Sequence, residues 1–119
     1  MIEEIVHTHM NGCLEEPCYL MRPETNPTGG YVLIEKTGGS ERNRISTATF
    51  AFQSYGDDLK SAAELNRKVI AAAKSLTTLG SISRSHYSTD YNFTNTATKQ
   101  PCYQAVFVIT YYDEEENNA

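Results

Sequence analysis

Histidines and cysteines, three of each in 119 residues, are the side chains here with the widest chemical reach. His7-x-His9 followed by Cys13-x4-Cys18 supplies ligand types that suit zinc. The spacing is not that of a standard knuckle, no second paired set follows, and Cys102 is distant in sequence. These residues therefore read as an exposed helix face and two half-buried thiols. A cysteine nucleophile needs a positioned base. His86, on a predicted strand, is placed to meet Cys102 on a neighbouring strand, but no acid orients it and no oxyanion-forming loop accompanies it. Thr37-Gly38-Gly39-Ser40 has the composition of a phosphate loop. It lacks the following lysine and opens no helix, so a hairpin turn is expected there. Glu3-Glu4 and Glu15-Glu16 are adjacent pairs whose side chains point in different directions and read as solvated. The reading is a chain with no catalytic residue, no metal ligand set and no cofactor.

The elements that would carry these residues are organised around a long amphipathic segment, 54–80. Ala62, Leu65, Val69, Ala72, Leu76 and Leu79 recur in steps of three and four, so they stack along one helical stripe. Leu59, Ala63, Ile70 and Ala73 widen it, and Lys60, Glu64, Arg67, Lys68 and Lys74 take the other side. Ser54 offers an N-terminal cap with Asp57 in the first turn, Gly56 and Asp57 being alternative starts. Gly80 falls where a left-handed C-terminal cap is expected. The alanines suit close approach to a flat partner, which points to a β-sheet.

Around that helix the chain alternates. Ile2, Ile5, Val6 and Met10 predict a short N-terminal helix that Gly12 ends. Cys18-Tyr19-Leu20-Met21 predicts a short strand stopped by Pro23, and residues 24–30 are rich in turn formers. Strands follow at 31–35 and 45–53, the second with Ala48, Phe50 and Phe52 on one face and Ile45, Thr47, Thr49 and Ala51 on the other. The charged flank Glu41-Arg42-Asn43-Arg44 extends the hairpin between them into an exposed tip. Beyond the helix, 82–93 alternates with Tyr87, Tyr91 and Phe93 on one face. The last strand, 103–112, is apolar on both faces and belongs in the interior of a sheet or beneath a cover. The expected fold is α+β, order α-β-β-β-α-β-β. Its antiparallel or mixed sheet has four to five strands, with helices packed on one face. Residues 1–112 form one domain and 113–119 an acidic tail expected to be disordered.

Charge narrows the functional classes. The net charge of −5 is concentrated in Asp113, Glu114, Glu115 and Glu116, while residues 25–112 carry nine bases against six acids. Near-neutrality over the domain leaves no footprint for tight nucleic-acid binding. No apolar run approaches the ~20 residues of a membrane helix. The acidic start, Met1-Ile2-Glu3-Glu4, does not resemble a signal peptide. An odd number of cysteines without an export signal argues for reduced thiols in the cytosol.

The succession Gly30-Tyr31-Val32-Leu33-Ile34-Glu35-Lys36-Thr37-Gly38-Gly39, then 45–56, Ala62-Ala63-Glu64-Leu65-Asn66, Tyr91-Asn92-Phe93 and 103–111 resembles a known family. It is similar to the tail terminator (tail-to-head joining, or minor tail completion) proteins of long-tailed bacteriophages and prophages of Gram-positive hosts. The resemblance spans residues 17–112 and is one of order and spacing. Pro101-Cys102 stands where relatives often carry an arginine, which puts any salt bridge there in doubt. The resemblance implies a structural virion assembly protein: a six-membered ring capping the tail tube. Its implied partners are further copies of itself, the tail tube protein and the head–tail connector protein. It further implies no catalysis, and residence in the host cytoplasm during assembly and in the virion neck afterwards. The residues placed at the subunit interface are Lys36, Gly38, Gly39, Arg42 and Arg44, where a mixed-charge arm too long for a two-residue turn meets an acidic patch of the next subunit. Two readings from other classes stand beside it. One is a small cytosolic thiol- or metal-dependent enzyme using Cys13, Cys18 and the histidines; the other is a monomeric adaptor binding a peptide along a free sheet edge.

Overall fold

The computed structural model describes residues 1–25 and 27–112. The chain runs α1 (Ile2–Cys13), β1 (Cys18–Tyr19), β2 (Tyr31–Arg42), β3 (Ile45–Tyr55), α2 (Leu59–Lys74), a 3₁₀ turn (Ser75–Thr78), β4 (Ile82–Asn92) and β5 (Cys102–Tyr112). The five strands form one sheet in the order β1-β2-β3-β5-β4. Every pairing is antiparallel except β1 with β2. The molecule is an α+β domain with the expected element order and a mixed sheet. Strands of eleven and twelve residues, at about 3.3 Å per residue, account for the long axis of 45 × 24 × 23 Å.

Both helices lie on one face of the sheet. Alternation in β3 and β5 sends Ala48, Phe50, Phe52, Ala105, Phe107 and Ile109 to that side, where Leu65, Val69, Ala72 and Ala73 of α2 meet them. Ile2, Val6 and Met10, four residues apart, carry α1 onto the same core. Each fully buried large apolar side chain contributes about 1.5–3 kcal/mol. β5 lies between β3 and β4, the interior position its two apolar faces require.

Several boundaries differ from the sequence reading. The helix does not begin at Ser54, Gly56 or Asp57. Ser54 and Tyr55 continue β3, opposite Val32 and Tyr31, so pairing across the sheet outweighs the local capping signal. Gly56 makes the close approach between strand and helix: a Cβ there would meet the Ala62 amide nitrogen at 2.6 Å. The cap is Asp58, whose carboxylate accepts from the Ser61 backbone N–H at 2.7 Å. The helix stops at Lys74 and tightens into the 3₁₀ turn, with Leu79 extended and Gly80 outside the left-handed region. Leu76 and Leu79 still reach the core, while Leu59 at the first turn is exposed.

The glycine-rich turn expected at 37–40 is strand. Thr37 to Ser40 lie within β2, which runs on to Arg42, with a bulge between Lys36 and Gly38. The reversal is a two-residue turn at Asn43 and Arg44, both at positive φ (54° and 66°), the conformation that joins strands tightly. The strand expected at 18–21 is two residues long.

In β4 a shift between Tyr87 and Thr89 changes the phase of alternation. Tyr87 faces the helices against Phe107, whereas Tyr91 is level with Gln104 on the other side, next to Phe93. Tyr87, Tyr91 and Phe93 therefore do not share a face. The acidic segment 113–119 and Asn26 lie outside the described residues.

Candidate functional site

The side chains with metal-ligating chemistry turn to separate structural tasks. His7 reaches the Cys18 carbonyl at 2.8 Å and helps tie β1 to α1. His9 reaches the Ala72 carbonyl at 3.2 Å and the Ser75 hydroxyl at 2.8 Å, stitching α1 to the end of α2. Cys13 is exposed beside His9, and Cys18 is buried. Among the described residues no three His, Cys, Asp or Glu side chains gather as a ligand set. His86 does not meet Cys102: it is level with Val108, while Cys102 is level with Tyr55. Burial pushes the Cys18 thiol up to about 12 and the Cys102 thiol up to about 11, so both stay protonated at neutral pH. Glu16, expected to be solvated, is half-buried and receives Lys68 at 3.2 Å.

The five interface candidates occupy the outer half of β2 and its turn, and the bulge divides them between faces. Lys36 and Gly39 point to the helix side. The lysine stem lies over the glycine, where a Cβ would meet its Cε at 3.1 Å. Gly38 is level with Thr49 and Arg42 with Ile45 on the opposite face, and Arg44 sits in the turn. Arg42 and Arg44 are exposed, as are Glu35 and Glu41. This hairpin end is no free arm. β3 pairs with β5 as far as Ile45 with Tyr112, so the tip continues the sheet. The run of four acids, 113–116, follows Tyr112 in the sequence and lies outside the described residues.

The face of the sheet away from the helices carries what the sequence reading missed. A chain of hydrogen bonds crosses it from strand to strand. Arg22 donates to the Tyr55 hydroxyl at 3.0 Å, and that hydroxyl donates to Gln53 at 2.8 Å. Gln53 donates to Gln104 at 3.0 Å, and Gln104 to the Tyr91 hydroxyl at 2.6 Å. Gln53 and Gln104 are both buried, so each amide needs its neighbour. Burial first, and Cys102 beside it, push the Tyr55 phenol up to about 12 against the opposing Arg22. The hydrogen bond from Arg22 to that oxygen is in turn what holds the guanidinium above its usual range.

Tyr31 stacks on Tyr55 at 4.7 Å and covers Cys102 and Leu33. A cleft of ≈ 520 Å³ opens at this end of the sheet, lined by Arg22, Tyr31, Tyr55, Asp57, Thr98 and Gln100 among others. Gly30, at φ 97°, lets the preceding loop close on it; a Cβ there would lie 2.8 Å from the Tyr55 carbonyl oxygen. Such a cleft can hold a polar group by hydrogen bonds from Arg22 and Gln100. Only long-range register assembles it: Arg22 and Tyr91 are distant in sequence, and Tyr55 falls inside the expected helix.

Farther along the same face the surface changes character. Thr47, Thr49, Val106, Val108 and Thr110 lie half-buried in three adjoining rows, on the side of the sheet away from both helices. No helix among the described residues is long and apolar enough to cross a membrane. Neither a protein-family model nor a curated protein sequence matches this chain.

Proposed function

We propose that this chain is a structural assembly protein of a long-tailed phage or prophage, a tail terminator. It closes into a ring, in keeping with a hexamer, that caps the tail tube and joins it to the head connector. The observation that carries this reading is the bare sheet face. Rows of threonine and valine on β3 and β5 are half-buried with neither helix over them. A surface of that composition gains from a partner that completes its burial. The α+β order puts both helices on one face, as the residue pattern predicts, and leaves the other face for a neighbour. Of the thiols that the enzyme reading would use, Cys18 is buried and held protonated, while Cys13 is exposed beside His9.

In the ring, Arg42 and Arg44 at the hairpin end, with Lys36, Gly38 and Gly39 behind them, contact an acidic surface of the next subunit. Charge of this kind sets register and partner choice more than affinity. Sedimentation velocity over a range of concentrations, followed by negative-stain imaging, tests the reading; a chain monomeric at every concentration and salt, alone and with tail tubes, overturns it. Arg42→Glu combined with Arg44→Glu is expected to keep the wild-type circular dichroism spectrum and weaken the ring. The difference from wild type should narrow as salt rises, because salt screens exposed charge pairs. An unchanged ring removes the hairpin end from the interface.

A further inference from the structure

Among the described residues the sheet ends in two long unpaired edges. β4 is the outermost strand on one side, paired only with β5 over its 11 residues. On the other side β1 covers only Val32 and Leu33, so β2 is open from Ile34 to Arg42. Each edge presents backbone N–H and C=O groups with no partner in the sheet, the usual template for adding a strand. The β4 edge has neither lysine nor proline, and its charges are Arg84 and Asp90 alone; the register shifts at Ser83 and Ser88 divide it into shorter regular stretches, of which 84–87 and 89–92 remain for pairing.

Direction decides what these edges fit. β2 to β3, β3 to β5 and β5 to β4 are each antiparallel, so β2 and β4 run in opposite directions. A copy placed beside the first by rotation about an axis along the strands brings its β2 against β4 in antiparallel pairing. That contact is heterologous, so repeating it closes a ring, with both edges covered, when the rotation per subunit divides a full turn without a shift along the axis. The residues level with one another across the sheet also match. Gly38 and His86 share one row through Thr49 and Val108, and Lys36 shares another with Tyr87, next to Asp90. In the ring an open glycine position, where a Cβ meets nothing within 4 Å, would face a histidine. A lysine would likewise sit beside an aspartate.

We infer that the partner on the free edge of β4 is the β2 edge, residues 34–42, of a second copy of this chain, so that the sheets run continuously around the assembly. This rests on the ring reading and names its contact. The strand pairing itself holds the subunits together, and Lys36 beside Asp90 of the next copy helps set its register.

Disulfide trapping in a Cys13→Ser background tests it. Gly38→Cys protein is mixed in turn with Arg84→Cys, His86→Cys and Thr89→Cys proteins, whose side chains share the bare face, under a copper–phenanthroline oxidant. Antiparallel neighbours bring Cα atoms within the 4.4–6.8 Å a disulfide needs. The expected result is one dominant partner of the three, with the corresponding double variant giving a covalent ladder that ends at the ring. A ring in sedimentation with no disulfide from Gly38→Cys to any of the three overturns the edge pairing and leaves the ring reading standing. Self-linkage of His86→Cys alone assigns a two-fold β4–β4 contact and overturns the inference. A monomer that forms no disulfide overturns both. As a second arm, His86→Lys with Thr89→Lys, both exposed, should leave the thermal melt unchanged and abolish the ring; a ring that survives unchanged counts against the edge.

Discussion

Phe50, Phe52, Phe107 and Ile109 point at the helices and are fully buried, while Thr49, Val106 and Val108, one position away on the same strands, stay half-buried on the side that neither helix covers. Alternation divides one pair of strands into two surfaces with different physics. The covered face gains its stability inside the monomer, through packing against α1 and α2. The bare face is itself divided. At the cleft end it is closed by the Tyr31–Tyr55 stack and the glutamine chain; toward the hairpin end it offers threonine and valine to whatever lies outside. Among the described residues, the unmet contacts of the sheet are this half-buried face and its two outer edges.

The sharpest way to break this contrast is to truncate side chains on the two faces of β5. Phe107→Ala is expected to cost about 3–5 kcal/mol in denaturant unfolding, and Val108→Ala, half-buried on the other side, less than about 1 kcal/mol. Equal losses would mean that the bare face belongs to the monomer's core. Thiol chemistry sharpens the comparison next. In native protein near pH 8, Cys13 should react with a disulfide reagent at least about a hundredfold faster than Cys18 or Cys102. Burial holds the latter two at about 12 and about 11. All three should become alike in denaturant, and three fast native thiols would contradict the burial on both faces.

Gln53→Ala probes the closed part of the bare face. It strips Gln104 and Tyr55 of partners and should cost about 1–3 kcal/mol, whereas Gln53→Leu with Gln104→Leu should recover part of that loss. A double change that costs as much as two separate ones would show that the amides do not act as a pair. The smallest effect expected is at the exposed cap of α2. The Ser61 N–H holds the Asp58 carboxyl below its usual range, so its contribution is present above the unfolded value of about 3.9. It is lost as pH falls through the lower folded value. Asp58→Ala should therefore melt lower than wild type at neutral pH, and the two should converge in acid. A gap that persists at low pH would assign the effect to something other than the charged cap.

The α2 stripe is legible in the residue order alone because its apolar side chains repeat at the helical period, and Leu65, Val69 and Ala72 are buried where that period puts them. The ends are not legible: Ser54 looks like a cap in isolation but is fully buried in β3. In β2, Gly38 and Gly39 are turn formers by composition, yet the pairing with Thr49 and Ala48 extends the strand through them. Asn43 and Arg44, with no glycine, turn instead. The bulge at Ser88 leaves no mark in the residue types, and it moves Tyr87 to the opposite face from Tyr91.

What the sequence by itself determined is whatever local periodicity encodes: two amphipathic helices, the positions of the strands though not the length of β2, the α+β order, and a last strand apolar on both faces. A side chain's face follows from the period of its own segment, so a window of ten to twenty residues suffices. Only the tertiary structure decided the register and, with it, the chain from Arg22 through Tyr55, Gln53 and Gln104 to Tyr91. It also decided that β1 covers only two residues of β2 and that β4 lies outermost. Those outcomes depend on which strands meet, and a slip of one residue in any pairing would reverse the faces. That choice is settled by the summed packing of the whole sheet against α1 and α2, which no single segment carries.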